Sequence, residues 1–172
     1  MSRELLILRH AKSAWDTGAP TDFERPLAPR GRRDAPRVGE WLRRHGLRPD
    51  HVVSSPAERA RQTVLAVCAA LDFDAAVICW EPRIYHGSTS DLLQALRDSP
   101  EDAKRVLIAG HNPGLESLLL QLCARGSLRI PPNGKLMPTA AVARLEIPVP
   151  WGKLASGAAR LLSLTRPRDL KA

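Results

Sequence analysis

Several residue types that often carry specialised functions are scarce in this sequence of 172 residues. Only seven residues are aromatic, 4% of the chain, which is too few for a surface that stacks nucleic-acid bases. The three cysteines (Cys68, Cys79 and Cys123) are odd in number and lack CxxC spacing, which argues against a disulfide framework or a zinc site. No apolar stretch approaches the roughly 18 residues of a membrane span, and the apolar run at residues 5–8 is too short for a signal peptide. We therefore expect a cytoplasmic protein with no nucleic-acid or membrane partner.

Basic residues, in contrast, are abundant. Lysine and arginine total 26 against 18 acidic residues, which gives a net charge of +8, and arginine outnumbers lysine 21 to 5. The guanidinium fork suits phosphate, although the arginines are spread along the whole chain. This charge indicates an anionic partner or substrate, or simply an arginine-rich composition. The length and the ordinary apolar content of 44% fit a single domain over residues 1–172, which we expect to be a monomer or weak dimer.

Short apolar runs alternate with segments of helical period along the chain. Apolar runs bounded by turn residues are typical of strands buried on both faces, whereas apolar residues three or four positions apart are typical of helices. These patterns predict strands at 5–8, 51–54, 77–80 and 106–110, and helices at 29–44, 56–71, 90–97 and 115–122. Two more strands, 140–147 and 158–165, follow a long loop and are expected to pair with each other. The alternation predicts an α/β fold, a three-layer α/β/α sandwich whose central sheet is mostly parallel and flanked by helices.

The predicted helix starts carry recognisable capping residues. Residues 55–58 (SPAE) fit a capping box, with Ser55 as the N-cap and proline at the first helical position. Asn112 followed by Pro113 predicts a second capped helix start. Pro36 lies inside the first predicted helix and is expected to kink it or delay its start.

Four residues of chemical interest lie where predicted strands end. Arg9 and His10 follow the first strand, His111 follows the fourth, and Arg59 lies near the start of the helix after the second. Because the carboxyl ends of parallel strands share one edge of the sheet, these side chains should converge there with two helix N-termini. Helix N-termini and arginines bind phosphate, and neutral imidazole can attack phosphorus or donate a proton to a phosphate group. Each residue alone also fits an ordinary surface or capping role, and a zinc site would lack a third ligand.

Three sequence blocks resemble the signature blocks of the histidine phosphatase superfamily, which includes the phosphoglycerate mutases. The blocks are residues 6–13 (LILRHAKS), 54–63 (SSPAERARQT) and 110–114 (GHNPG). The similarity is greatest to the SixA-type phosphohistidine phosphatase branch, whose segment before the first helix is similar to residues 22–27 (DFERPL). The resemblance implies a phosphoglycerate mutase-like fold and an enzyme that needs neither a metal nor a cofactor.

The resemblance also implies a role for each site residue. His10 would be the nucleophile and would form a phosphohistidine intermediate, while Arg9 and Arg59 would hold the phosphate oxygens. His111 would complete the pocket and stabilise the transferring group. Ser13, at the end of the first block, is expected to contact the substrate. Arg25 is interpreted as structural or as part of the pocket rim.

The sequence departs from the mutase-like branch at the position of the proton donor. The glutamate that serves as the acid in that branch aligns near Arg83, and Glu81, the nearest carboxylate, reaches the pocket only in an offset alignment. Ala11 and Asp16 replace a glycine and an asparagine of that branch, and Asp16 is expected to point away from the phosphate. A site without a strong acid suits cleavage of a P–N bond, because imidazole leaves more readily than an alkoxide.

These observations favour a phosphatase that acts on phosphohistidine carried by a protein. One alternative is a family member that hydrolyses a small phosphate ester or a sugar phosphate. A basic nucleic-acid-binding module is another alternative, although the sequence contains no recognised motif of that class. A catalytically silent family member is disfavoured by the intact set of His10, Arg9, Arg59 and His111.

Overall fold

The computed structural model describes residues 2–170 and contains six strands and four helices. The strands are Arg3–Arg9 (β1), His51–Ser54 (β2), Cys79–Trp80 (β3), Arg105–Gly110 (β4), Val142–Ile147 (β5) and Arg160–Thr165 (β6). The helices are Pro29–Arg44 (α1), Glu58–Ala70 (α2), Thr89–Arg97 (α3) and Gly114–Leu122 (α4). The remaining residues form loops and short 3-10 turns. No helix in this part of the chain is long and apolar enough to cross a membrane.

The strands form one sheet in the order β3-β2-β4-β1-β5-β6. The first four strands in this order are parallel to one another, and β5 runs antiparallel to both of its neighbours. Strands β5 and β6 pair with each other, as the sequence predicts. The predicted mostly parallel sheet is therefore confirmed, with a single strand reversed.

The helices cover both faces of this sheet. Side chains of a strand point alternately to its two faces, so Leu5 and Ile7 of β1 enter one apolar core while Leu6 and Leu8 enter the other. The first core is completed by α3 and α4 and the second by α1 and α2. All four β1 side chains are fully buried, and each is worth about 1.5–3 kcal/mol of burial free energy. The predicted three-layer α/β/α sandwich is confirmed.

Two predicted helix N-caps are wrong. Helix α2 begins at Glu58, three residues after the predicted cap, and α4 has Pro113 as its N-cap without a side-chain hydrogen bond. The polar side chains assigned to the caps, Ser55 and Asn112, form other hydrogen bonds described below. Helix α1 begins at Pro29 and continues through Pro36, so the expected delay in its start is also wrong.

Strand pairing brings the chain segments of interest to one edge of the sheet. Arg9, the last residue of β1, pairs with Gly110 at the end of β4. Ser54, the last residue of β2, pairs with Ala109 of β4. The loops that leave β1, β2 and β4 therefore start side by side.

Candidate active site

His10 leaves β1 at the centre of this edge, and its side chain is held in one orientation. Its backbone N–H donates to the Gly110 carbonyl at 3.0 Å, and its ring Nδ1 lies 2.7 Å from the Ala11 carbonyl oxygen. Because a carbonyl oxygen only accepts, Nδ1 carries the proton and the lone pair of the neutral ring is on Nε2. The residue is only 6% exposed. The local backbone thus leaves Nε2 of a buried imidazole with a free lone pair.

His111 leaves β4 beside His10, and the centroids of the two rings are 5.2 Å apart. Its Nε2 lies 2.7 Å from the hydroxyl of Ser55, the residue that follows β2. Its Nδ1 is buried and has no hydrogen-bond partner among the described residues. Ser55 also accepts a hydrogen bond from the Ala57 backbone at 3.2 Å, which fixes the hydroxyl in place. Because the Ser55 hydroxyl is engaged by both His111 and the Ala57 backbone, it does not cap α2.

Burial keeps both imidazoles uncharged. Desolvation lowers the pKa of His10 to about 4, and the nearby charges of Arg9 and Arg59 act in the same direction. Desolvation lowers the pKa of His111 to about 3, with further contributions from His10 and Arg59. Both pKa values lie well below the ordinary value of about 6.5. At neutral pH, therefore, the nucleophilic lone pair of His10 is not blocked by a proton.

The two arginines expected at this site are also present. Arg9 donates from Nη1 to the Met137 carbonyl at 3.1 Å. Arg59, in the first turn of α2, is 5% exposed and donates to the Asp22 carbonyl at 2.8 Å and to the Asp22 carboxylate at 3.0 Å. The Nε atoms of both arginines are buried without a partner among the described residues. Two guanidinium groups therefore offer N–H donors beside the histidine pair.

Unpaired buried polar atoms are concentrated at this site. Within residues 2–170, five buried side-chain nitrogen or oxygen atoms have no hydrogen-bond partner, and they belong to Arg9, Arg59, His111, Asn112 and Ser99. The first four residues border the edge described above. Since unpaired buried polar groups cost about 1–3 kcal/mol each, such a cluster is typical of a site that binds a polar ligand.

Asp22 links several groups around Arg59 and was not singled out from the sequence. Its carboxylate accepts hydrogen bonds from Arg59, from Arg25 at 3.1 Å and from the Tyr85 hydroxyl at 2.8 Å. Burial alone would raise the pKa of this carboxyl group, but the hydrogen bonds from Tyr85 and Arg25 and the charge of Arg59 lower it. Asp22 is therefore ionised and fixes the orientation of Arg59.

An aromatic side chain also contacts the histidine pair. The Tyr85 ring lies 5.5 Å from the His111 ring and packs edge-on against Phe23 at 5.0 Å. The sequence offers no local signal for this contact, because Tyr85 follows a 3-10 turn far from the signature blocks. For Asp22 a signal exists, since it belongs to the segment that resembles the SixA-type branch.

The remaining predicted site residues have other contacts. The Ser13 hydroxyl is buried and accepts a hydrogen bond from Arg25. Asp16 is exposed. Glu81 accepts hydrogen bonds from the Arg83 backbone at 3.0 Å and from the Arg83 guanidinium at 2.8 Å. The substrate contact of Ser13 and the acid role of Glu81 stay predictions.

The contacts of Glu81 define what an acid role would require. The hydrogen bond from the Arg83 side chain lowers the pKa of this carboxyl group. A carboxylate that is ionised at neutral pH has no proton to donate. Glu81 would therefore act as a donor only after separation from Arg83.

The arrangement can bind a tetrahedral oxyanion and present a nitrogen nucleophile to it. Two guanidinium groups supply paired donors, and Nε2 of His10 supplies the lone pair. In the described part of the chain, no group of three or more His, Cys, Asp or Glu side chains is placed to hold a metal ion.

Known proteins share both the sequence and the fold. The sequence model of the histidine phosphatase superfamily (branch 1) matches residues 5–118. An uncharacterized protein from Mycobacterium tuberculosis is 32% identical over 164 residues, which cover 94% of this chain and 100% of that protein. The phosphohistidine phosphatase SixA of Escherichia coli is 32% identical over 127 residues, which cover 70% of this chain and 74% of SixA.

A solved structure extends the similarity to the whole fold. The structure of the protein histidine phosphatase SixA complexed with tungstate superposes with a TM-score of 0.81 and 25% sequence identity, and the match covers 98% of this chain and 99% of that chain. The matched family segment contains all three sequence blocks, and the residues of those blocks surround the paired histidines. The chain belongs to the histidine phosphatase superfamily, branch 1.

Proposed function

We propose that this protein is a metal-independent phosphatase that removes phosphate from phosphohistidine on another protein. His10 is the nucleophile, Arg9 and Arg59 bind the phosphate oxygens, and His111 stabilises the transferring phosphoryl group. The observation that carries the proposal is the neutral, oriented His10 ring beside two guanidinium groups whose Nε atoms are buried and unpaired among the described residues. The two cations supply charge neutralisation, which is the main requirement of phosphoryl transfer.

In the first step, the lone pair on Nε2 of His10 attacks phosphorus in line with the leaving group. A new P–N bond forms to His10, and the P–N bond to the substrate imidazole breaks. His111 can donate from Nδ1 to a phosphate oxygen when the Ser55 hydroxyl donates to Nε2, because the neutral ring then carries its proton on Nδ1. Ser55 thereby selects the tautomer of His111 that is useful for transfer.

In the second step, water attacks the phosphorylated His10. The P–N bond to His10 breaks, inorganic phosphate leaves, and the His10 ring returns to its neutral form. The guanidinium groups that bind the phosphate in the first step bind it in the second step as well, because the phosphorus stays in the same pocket.

The carboxylates around the site favour an imidazole leaving group over an alkoxide. Asp22 and Glu81 are both bound by arginines, and the pKa of each carboxyl group is lowered. An alkoxide needs a proton from an acid as it leaves. A phosphorylated imidazole can instead be protonated on its own second ring nitrogen and leave as a neutral molecule. The ionised carboxylates therefore support P–N cleavage over ester hydrolysis.

The comparisons support the same substrate class. The Escherichia coli relative is a phosphohistidine phosphatase, and the structural neighbour is a protein histidine phosphatase complexed with tungstate. Tungstate is a tetrahedral oxyanion like phosphate. We extend the phosphohistidine substrate from those proteins to this one.

A substrate panel and a variant pair test the proposal. The wild-type protein should release phosphate from a phosphohistidine peptide much faster than from phosphoserine or a sugar phosphate. His10→Ala should abolish turnover, and acid-labile, base-stable phosphate should be trapped on His10 of the wild type. His45→Ala is the matched control, because His45 is an exposed histidine at the end of α1.

Two results would contradict the proposal. Turnover of phosphohistidine by a folded His10→Ala variant would exclude the assigned nucleophile. Faster hydrolysis of a small phosphate ester than of phosphohistidine would instead support the alternative of an ester phosphatase.

A further inference from the structure

A groove with a strongly basic lining leads away from the phosphate-binding end of the site. One cavity contains Arg9, Lys12, Arg30 and Lys135, and an adjoining cavity of about 460 Å³ contains Arg37, Arg166 and Arg168. Arg30 and Lys135 line both cavities, so the two form one continuous depression. We call it the basic groove. Its inner end is Arg9, which belongs to the candidate active site.

The acidic residues of the basic groove do not neutralise it. Asp34 forms an ion pair with Arg37 at 3.1 Å. Glu116 accepts hydrogen bonds from the Asn112 side chain at 3.0 Å and from the Met137 backbone at 2.8 Å. Seven basic side chains line the two cavities against these two carboxylates, so the groove has a surplus of positive charge.

Three cations at its inner half are available to a ligand. Lys12, Arg30 and Lys135 form no salt bridge with any carboxylate of residues 2–170. Arg30 and Lys135 are exposed, and Lys12 is half-buried. Many other arginines of the surface are paired, as Arg43 is with Glu40 at 2.7 Å. What distinguishes Lys12, Arg30 and Lys135 is that they line one cavity together with Arg9, a placement that the net charge alone does not reveal.

We propose that the basic groove binds an acidic polypeptide segment that flanks the phosphohistidine of the substrate protein. This inference rests on the proposed function, because the phosphorylated side chain enters the site beside Arg9. An extended chain advances about 3.3 Å per residue, so residues two to four positions away lie about 7–13 Å from the phosphohistidine. Arg30 and Arg37 are about 10 Å apart along α1. The groove therefore has the reach to contact several flanking side chains.

The lining selects a polypeptide over a nucleic acid. Single-stranded nucleic acids bind to basic grooves that also contain aromatic side chains, on which the bases stack. No described residue that lines the basic groove is aromatic. The lining also contains Pro131, Pro138 and Thr139, whose side chains a peptide can contact.

Charge reversal at two exposed positions tests the proposal. The test variant is Arg30→Glu with Lys135→Glu. The matched control is Arg44→Glu with Lys104→Glu, which changes the net charge equally at the opposite end of α1 and at the amino end of β4. The substrates are a phosphohistidine peptide with flanking glutamates, the same peptide with glutamines, and phosphoramidate, which has no flanking chain.

The test variant should raise KM for the glutamate peptide about tenfold, because each exposed ion pair is worth up to about fivefold and the reversal adds repulsion. KM for phosphoramidate and for the glutamine peptide should change less than twofold, and the control variant should behave like the wild type. Equal KM values in the test and control variants would overturn the proposal. An equal loss of activity on all three substrates would overturn it as well.

A binding assay separates this inference from the proposed function. The unphosphorylated glutamate peptide, labelled with a fluorophore, should bind the wild type and lose affinity in the test variant, even if the enzyme turns over none of the phosphohistidine substrates. Failure of turnover with retained binding would refute only the proposed function. Tighter binding of a single-stranded oligonucleotide than of the glutamate peptide, lost in the same variant, would assign the basic groove to nucleic acid and overturn the inference.

Discussion

The hydrogen bond between Ser55 and His111 offers a direct test of how the site is oriented. The Ser55 hydroxyl lies 2.7 Å from Nε2 of His111, and the serine side chain is fully buried. Ser55→Ala removes this partner and leaves Nε2 of His111 without its hydrogen bond to the protein. A buried polar atom left unpaired in this way costs about 1–2 kcal/mol. If the hydrogen bond acts in the transition state, kcat should fall about 5–30-fold with little change in KM.

The matched control for this prediction is the neighbouring serine. Ser54 is equally buried, but its hydroxyl donates to the Ser55 carbonyl and does not touch His111. Ser54→Ala should therefore keep kcat within about twofold, even if it lowers the melting temperature. Nitrogen NMR of the imidazole should show the His111 proton on Nδ1 in the wild type and a mixture of tautomers in Ser55→Ala.

Three results would each refute a part of this reasoning. An unchanged kcat in Ser55→Ala would show that the hydrogen bond does not act in the rate-limiting step. An equal fall in Ser54→Ala would show that the loss comes from disturbed packing after β2 and not from the orientation of His111. An unchanged His111 tautomer in Ser55→Ala would show that Ser55 does not select the tautomer, whatever happens to kcat.

Three further predictions follow from the geometry. Burial lowers the pKa of His10 to about 4. The ring signals of His10 should therefore titrate near pH 4 by NMR, and activity should persist as the pH falls towards 5. A titration midpoint near the ordinary value of about 6.5 would contradict this prediction. Arg59→Lys keeps the charge but loses the paired donors, so KM should rise at least about tenfold in a steady-state assay, whereas the exposed Arg61→Lys control should match the wild type. Gly31→Ala would place Cβ 2.2 Å from the Lys12 carbonyl oxygen. Thermal unfolding should therefore report a loss of about 1–3 kcal/mol in the free energy of unfolding. An unchanged melting temperature would show that the segment around Lys12 moves away without cost.

The effect of acid on stability follows from the same two histidines. The folded-state pKa values of His10 and His111 lie at about 4 and about 3, below the value of about 6.5 expected for an unfolded chain. The unfolded chain therefore binds more protons as the pH falls below about 6.5, so both residues lower the stability of the folded protein between that pH and about 3. The same burial that keeps the His10 ring neutral makes the fold sensitive to acid.

Local residue patterns were sufficient to predict most of the secondary structure. The buried runs at β1 and β4 have apolar side chains on both faces, a pattern typical of short strands inside a parallel sheet. The predicted bounds of the first helix, 29–44, match α1 (Pro29–Arg44), and Pro36 does not delay its start. Helix propensity is a weak preference that burial of Ala35, Val38 and Leu42 overrides.

The caps show where local patterns fail. Ser55 and Asn112 are good capping residues by type, but each side chain has a partner from a distant part of the chain. Ser55 contacts His111, 56 residues away, and Asn112 donates to the Met137 carbonyl at 2.9 Å. A short-range rule cannot anticipate a hydrogen-bond partner that only the assembled sheet brings into reach.

The sequence by itself determined the order of strands and helices and the positions of His10, Arg9, Arg59 and His111 at the ends of elements. Their convergence could be expected because the carboxyl ends of parallel strands share one edge. Only the tertiary structure decided how these groups are tuned: which nitrogen of His10 is free, that Asp22 holds Arg59, and that Ser55 and Tyr85 touch His111. It also gathered unpaired cations into the basic groove. The physical reason is that hydrogen bonds, desolvation and local charge depend on distances between atoms far apart in sequence, and these distances exist only once the sheet and its loops have packed.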